Sequence, residues 1–132
     1  MSLGTEYNLT IHRGDDRQIT GVVVDEAGSP VDITGAAITY AVAPLDEAAE
    51  ETAPQPKNGS TAIITKSTGS GGLVITDAPN GGIRVDLGSG DTAGLPAPKT
   101  YYHEIQIVLG GFTTTIMFGT FTIRRELIAP GP

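Results

Sequence analysis

Apolar and polar residues alternate with a period of two along most of this chain, and a helical period is almost absent. In the segment YNLTI, for example, Tyr7, Leu9 and Ile11 share one face of an extended chain. Val22 to Val24 form a continuous apolar run, which predicts burial on both faces. Further alternating segments, divided by turn-forming residues, are RQITGVVVD, VDITGAAITYAVA, TAIITK, GLVITD, GGIRVDLG and TYYHEIQIVLGGFTTTIMFGTFTIRREL. The pattern predicts an all-β domain of about eight strands, packed as a sandwich of two antiparallel sheets.

The last of these segments predicts a long β-hairpin whose turn is Gly110-Gly111, because a two-residue hairpin loop needs positive φ angles. After the turn, the parity of the apolar positions changes between Phe118 and Phe121. One extra residue at Gly119-Thr120 would restore the core face, so a β-bulge is predicted there. The residues predicted to be buried are Ile38, Tyr40, Ile105, Ile107, Ile116, Phe118 and Phe121.

One segment, residues 44–60 (PLDEAAEETAPQPKNGS), interrupts the alternation. It is acidic, rich in Ala and punctuated by Pro, so it predicts a mobile loop with at most one helical turn around Leu45 to Glu51. We therefore expect a single domain over residues 1–132, with its core at about 5–125 and a flexible insertion at 44–60. The opening residues MSLG have the composition of an expression leader and are set aside.

The charge and residue content of the chain disfavour several classes of function. Eight Lys and Arg residues against 15 Asp and Glu give a formal net charge of -7, and no basic cluster is present, which disfavours nucleic acid as a partner. The absence of cysteine excludes a disulfide scaffold, a thiolate metal site and a cysteine nucleophile. No apolar run is long enough to cross a bilayer, so membrane insertion is not expected either.

The candidates for catalysis are few, since His12 and His103 are the only histidines. His103 falls on the apolar face of its strand while Glu104 points the other way, which favours a buried, hydrogen-bonded histidine over a general base. The acidic pairs lack the spacing of a calcium loop, and the glycine-rich runs GSGGL and GSGD lack the Lys and the helix of a phosphate site. We predict no catalytic, cofactor-binding or metal residue and expect no enzyme activity.

The tripeptide Arg13-Gly14-Asp15 is the sequence that animal integrins recognise, so it could be either an adhesion ligand or a structural turn. Integrin binding needs a protruding loop, yet here the tripeptide joins two predicted strands with almost no spare length. Gly14 supplies the bend, and the following carboxylates are acceptors for neighbouring backbone amides. We expect a structural turn and not an integrin ligand.

The order of these turns and strands matches a known pattern over about residues 8–123. Its parts are LTIHRGDDRQI, VVDEAGSPVDITGAAITYAV, GGLVITDAPNGGIRVDLGSGDTAGLPAPKTYYHEIQIV and TTIMFGTFTI. The series resembles small immunoglobulin-like β-sandwich proteins of tailed phages and prophages, including the N-terminal domain of siphophage upper baseplate proteins. The acidic insertion at 44–60 departs from that pattern, so no partner contact is carried over at its edge.

The resemblance implies a non-enzymatic virion structural or assembly protein, associated with the tail or baseplate and located in the virion. Its partners would be other virion proteins and further copies of itself. The alternative is a free-standing adhesion or carbohydrate-binding module, because β-sandwiches also host such sites. A carbohydrate site favours exposed aromatic residues, and the chain has no Trp and only four Tyr.

Overall fold

The computed structural model describes residues 5–46 and 53–128, and these residues form nine strands. The strands are β1 (Thr5–Glu6), β2 (Leu9–His12), β3 (Arg17–Val22), β4 (Ala37–Pro44), β5 (Ile64–Ser67), β6 (Leu73–Asp77), β7 (Gly82–Leu87), β8 (Lys99–Leu109) and β9 (Phe112–Arg124). Helical structure in the described residues is limited to a 3-10 turn, Ala78–Asn80, and the helix α1, Ser89–Ala93. The chain is therefore all-β, as the alternation predicted.

The strands form two sheets around one hydrophobic core. The larger sheet has the order β1-β9-β8-β4-β5, with β2 also pairing with β9, and the smaller sheet has the order β3-β7-β6. The prediction that both sheets are antiparallel is wrong at one edge, because β1 and β2 run parallel to β9. No hairpin joins these strands to β9, so chain connectivity does not impose an antiparallel pairing there.

The inward faces of β4 and β8 follow the predicted parity. On β4, Ile38, Tyr40 and Val42 are completely buried, and on β8 the alternate residues from Tyr101 to Ile107 are buried against them. The hairpin turn is also confirmed, since Gly110 and Gly111 have φ angles of 59° and 83° between β8 and β9.

The position of the β-bulge was predicted wrongly. Ile105 pairs with Met117 and Gln106 pairs with Thr115, so the extra residue is Ile116 and not Gly119-Thr120. The core face of β9 therefore continues through Met117 and Phe121, which are buried. Phe118 points the other way and is only partly buried, so the prediction of its burial is wrong, whereas the other six predicted core residues are buried.

The burial of β3 also differs from the prediction. Only Val23 of the run Val22 to Val24 is fully buried, and Val22 is 57% exposed. The reason is that Val22 points to the outer face of the smaller sheet, which no further layer of the described residues covers.

The insertion predicted at 44–60 is described only at its two ends, because residues 47–52 lie outside the described residues. At these ends Leu45 bridges Pro56, and the Lys57 amide donates a hydrogen bond to the Pro44 carbonyl at 2.8 Å. Leu45 is thus in an antiparallel bridge and not in a helical turn. The mobility of the loop stays a prediction.

Candidate binding surfaces

The tripeptide Arg13-Gly14-Asp15 lies in the turn between β2 and β3. The Asp15 amide donates to the His12 carbonyl at 3.2 Å, and Gly14 has a φ of 84°, which favours glycine. The Gly14 amide also donates to the hydroxyl of buried Thr92 at 2.8 Å. The turn is therefore tied to the segment around α1, and it does not stand apart as a loop.

The Arg13 side chain is held by internal contacts. Its guanidinium forms a bidentate salt bridge with the Glu126 carboxylate, here called the fork, with N–O distances of 2.8 and 2.7 Å. It also donates a hydrogen bond to the Leu95 carbonyl at 3.1 Å. Hydrogen bonding between Arg13 and Glu126 raises the pKa of the arginine and lowers the pKa of the glutamate. A ligand that needed the Arg13 head group would have to break this fork.

His103 is completely buried at the centre of β8, as its place on the apolar face predicted. Its Nε2 lies 2.7 Å from the Tyr7 carbonyl oxygen, and its Nδ1 lies 3.0 Å from the Tyr40 hydroxyl. A carbonyl only accepts, so Nε2 donates and Nδ1 accepts the Tyr40 proton in the neutral ring. Burial lowers the pKa of His103. Both ring nitrogens are used inside the core, which gives this histidine a structural role.

The acidic pairs that the structure describes in full, Asp15-Asp16 and Asp25-Glu26, lie in turns. Asp25 accepts hydrogen bonds from the Ala27 and Ser29 amides at 2.9 Å each, which is the geometry of an exposed turn. Asp16 accepts from the Ser89 amide at 2.7 Å at the start of α1. Among the described residues no group of three or more His, Asp and Glu side chains is placed to hold a metal ion.

The sequence did not predict an apolar groove of about 180 Å³ that lies between the edges of the two sheets. One wall is β3 of the smaller sheet and the other is formed by β1 and β9 of the larger sheet. Among the residues that line it are Tyr7, Ile19, Gly21, Val22, Ile116 and Met117. Tyr7 and Val22 stand at its rim, with 39% and 57% of their surfaces exposed.

Gly21 lines this groove and is itself exposed. It has the same parity as Ile19 and Val23, whose side chains are buried, so a side chain at position 21 would point into the groove. A Cβ atom at position 21 would meet no atom within 4 Å. A single Gly at an inward position of the run RQITGVVVD is therefore the sequence signal that could have indicated the groove.

Within residues 5–46 and 53–128, the edge of β3 beside the groove carries backbone groups that no strand pairs with. The Val23 amide donates to the Gly81 carbonyl at 2.8 Å, on the side of β7. Amide direction alternates along an antiparallel strand, so the backbone groups of Gln18, Thr20 and Val22 point away from β7. No other strand of the described residues pairs with this edge. The groove thus combines apolar walls with a row of hydrogen-bonding groups.

Comparison with known proteins identifies no family and no curated relative for this chain. Within residues 5–46 and 53–128, no helix is long and apolar enough to span a membrane.

Proposed function

We propose that this chain is a non-enzymatic structural or assembly protein of a tailed-phage or prophage virion, associated with the tail or baseplate. It acts through protein–protein contacts, and its location is the virion. The observation that carries the proposal is the apolar groove with the unpaired edge of β3 beside it. Such an edge accepts a further strand from a partner, since main-chain hydrogen bonds and apolar pockets act together.

The strand order supports an immunoglobulin-like sandwich. In that fold one sheet contains strands A-B-E-D and the other contains C-F-G, lettered in chain order. If β3 is strand B, then β4, β6, β7, β8 and β9 take the letters C to G. The sheets β3-β7-β6 and β4-β8-β9 then correspond to B-E-D and C-F-G, with β5 added beside C. Strand A has no counterpart beside β3, which explains why this edge is open.

The adhesion and carbohydrate-binding alternative receives less support. Tyr40, Tyr101 and Tyr102 are buried, so they offer no stacking surface for a sugar ring. The guanidinium of Arg13, in the integrin-like tripeptide, is already paired with the Glu126 carboxylate. The exposed aromatic side chains of the described residues are Tyr7 and Phe112, and Phe118 is partly buried.

The test is to locate the protein in virus particles. In a host that carries the gene, particles are purified after prophage induction, and an antibody against this chain is used for labelling in electron microscopy. We expect label at the tail or baseplate, and deletion of the gene should stop tail assembly. An antibody against the major capsid protein is the positive control. Absence of the chain from purified particles, with normal particle yield from the deletion strain, would overturn the proposal.

A further inference from the structure

We propose that the groove beside β3 binds Leu127 and Ile128 of a second copy of this chain, so that copies associate head to tail. The inference rests on the proposed function, because a structural protein has to make repeating contacts. It goes further by naming both sides of the contact. The acceptor is the groove over Gly21, and the donor is the apolar pair that follows β9.

The donor pair is exposed and projects from a fixed point. Leu127 and Ile128 are 99% and 83% exposed, more than any other large apolar side chain of the described residues. They directly follow Glu126, whose carboxylate is held by Arg13 in the two-bond fork. Burial of apolar surface is favourable, so two adjacent exposed aliphatic side chains on an anchored segment favour binding to another apolar surface.

The acceptor groove fits such a donor in size and chemistry. Cavities of about 150 Å³ with apolar walls take up a benzene-sized molecule, and this groove measures about 180 Å³. An aliphatic side chain placed over Gly21 would contact Ile19 and Met117 on the two walls. The backbone of an extended donor segment would meet the outward-pointing amides and carbonyls of Thr20 and Val22.

The donor comes from another copy, because the chain's own pair does not fill the groove. Leu127 and Ile128 are both exposed, and neither is among the residues that line it. Their neighbour Glu126 binds Arg13 at the turn before β3, whereas Gly21 is the fifth residue of that strand. A groove and a donor at different places on the surface give a heterologous contact, which extends into rings or filaments.

The test uses two variants of the full chain, each of which removes one side of the contact. Gly21→Val fills the groove, and no positive φ or close neighbour at this position opposes a β-branched residue. Leu127→Asp combined with Ile128→Asp removes the donor and leaves the groove open. In sedimentation velocity, wild-type protein should associate as its concentration rises, while each variant alone should stay monomeric. A mixture of the two should form a heterodimer of one copy of each and nothing larger, because only one productive contact is left.

Phe112→Asp is the matched control, since Phe112 is also an exposed apolar residue, 72% exposed at the hairpin tip. This variant should associate like the wild type, and all variants should show wild-type cooperative unfolding. The inference is overturned if the wild type stays monomeric up to its solubility limit, if either variant still associates alone, or if the mixture forms no heterodimer. A chain found in virions but monomeric in solution overturns this inference alone. A chain that associates head to tail but is absent from virions overturns the proposed function alone.

Discussion

The Tyr7 carbonyl oxygen lies 2.7 Å from Nε2 of His103 and joins the start of the chain to the centre of β8. The contact passes over Gly119, the residue of β9 that pairs with His103. A Cβ atom at Gly119 would collide with the Tyr7 carbonyl. The absence of a side chain on one strand thus allows the N-terminal segment to approach the buried ring on the next. Next to it, the Asn8 side chain accepts from the Thr120 amide at 2.9 Å, which holds the segment between β1 and β2 in place.

The first prediction concerns pH. Burial lowers the pKa of His103 in the folded chain, while the unfolded chain binds a proton near the ordinary value of about 6.5. Below that value the unfolded state binds more protons, so the free energy of unfolding should fall as the pH falls from about 6.5 towards the folded pKa. Urea unfolding at a series of pH values measures the slope. His103→Gln should reduce the slope, and His12→Gln is the comparison variant at an exposed histidine. Equal slopes in the two variants would show that His103 is not the titrating group.

The second prediction is that Gly119→Ala destabilises the protein. The added methyl group meets backbone atoms of Tyr7, which cannot rotate away, so we expect a loss of about 1–3 kcal/mol, the usual range for overpacking. Amide hydrogen exchange should also become faster at Tyr7, whose amide donates to the Phe118 carbonyl at 2.8 Å, because the N-terminal segment is displaced. Gly21→Ala is the matched control, since it is also a strand glycine but faces open space. Similar stability losses in both variants would contradict the role given to the Tyr7 contact.

The sequence could predict those parts of the fold that depend on local alternation. The parity of β4 and β8 and the Gly110-Gly111 turn follow from neighbouring residues, so they were predicted correctly. The bulge could not be placed, because Ile116, Met117 and Phe118 are consecutive apolar residues and either parity buries some of them. Only the pairing with β8 determines that Ile116 is the extra residue.

The candidate site depends on long-range pairing, which alternation does not contain. Arg13 and Glu126 are far apart in the chain, and nothing near either residue indicates their fork. The groove exists because β3 is an edge strand and β1 pairs with β9, and both facts are properties of the strand order. Gly21 was a visible signal, but its meaning depends on which side of β3 faces the core.

The third prediction distinguishes the two phenylalanines near the bulge. Phe121→Ala should cost about 3–5 kcal/mol, the usual range for a buried Phe, because its ring is completely buried and contacts His103. Phe118→Ala should cost about 1 kcal/mol, a typical value for a point change outside the core. Urea unfolding of both variants checks the difference. A larger loss for Phe118 than for Phe121 would mean that the bulge does not lie at Ile116.

The last prediction concerns the turn at Arg13-Gly14-Asp15. Gly14 holds a φ of 84°, a conformation that costs an L-residue about 1–2 kcal/mol, so Gly14→Val should lower the free energy of unfolding by at least about that amount. Asp15→Glu keeps the charge of an exposed side chain and should leave stability unchanged, although it abolishes integrin recognition wherever the tripeptide is the determinant. Urea unfolding tests the first variant, and both unfolding and attachment of integrin-bearing cells test the second. If immobilised wild-type protein retained such cells and the Asp15→Glu variant did not, with equal stability, the tripeptide would be an adhesion ligand in spite of the Arg13–Glu126 fork.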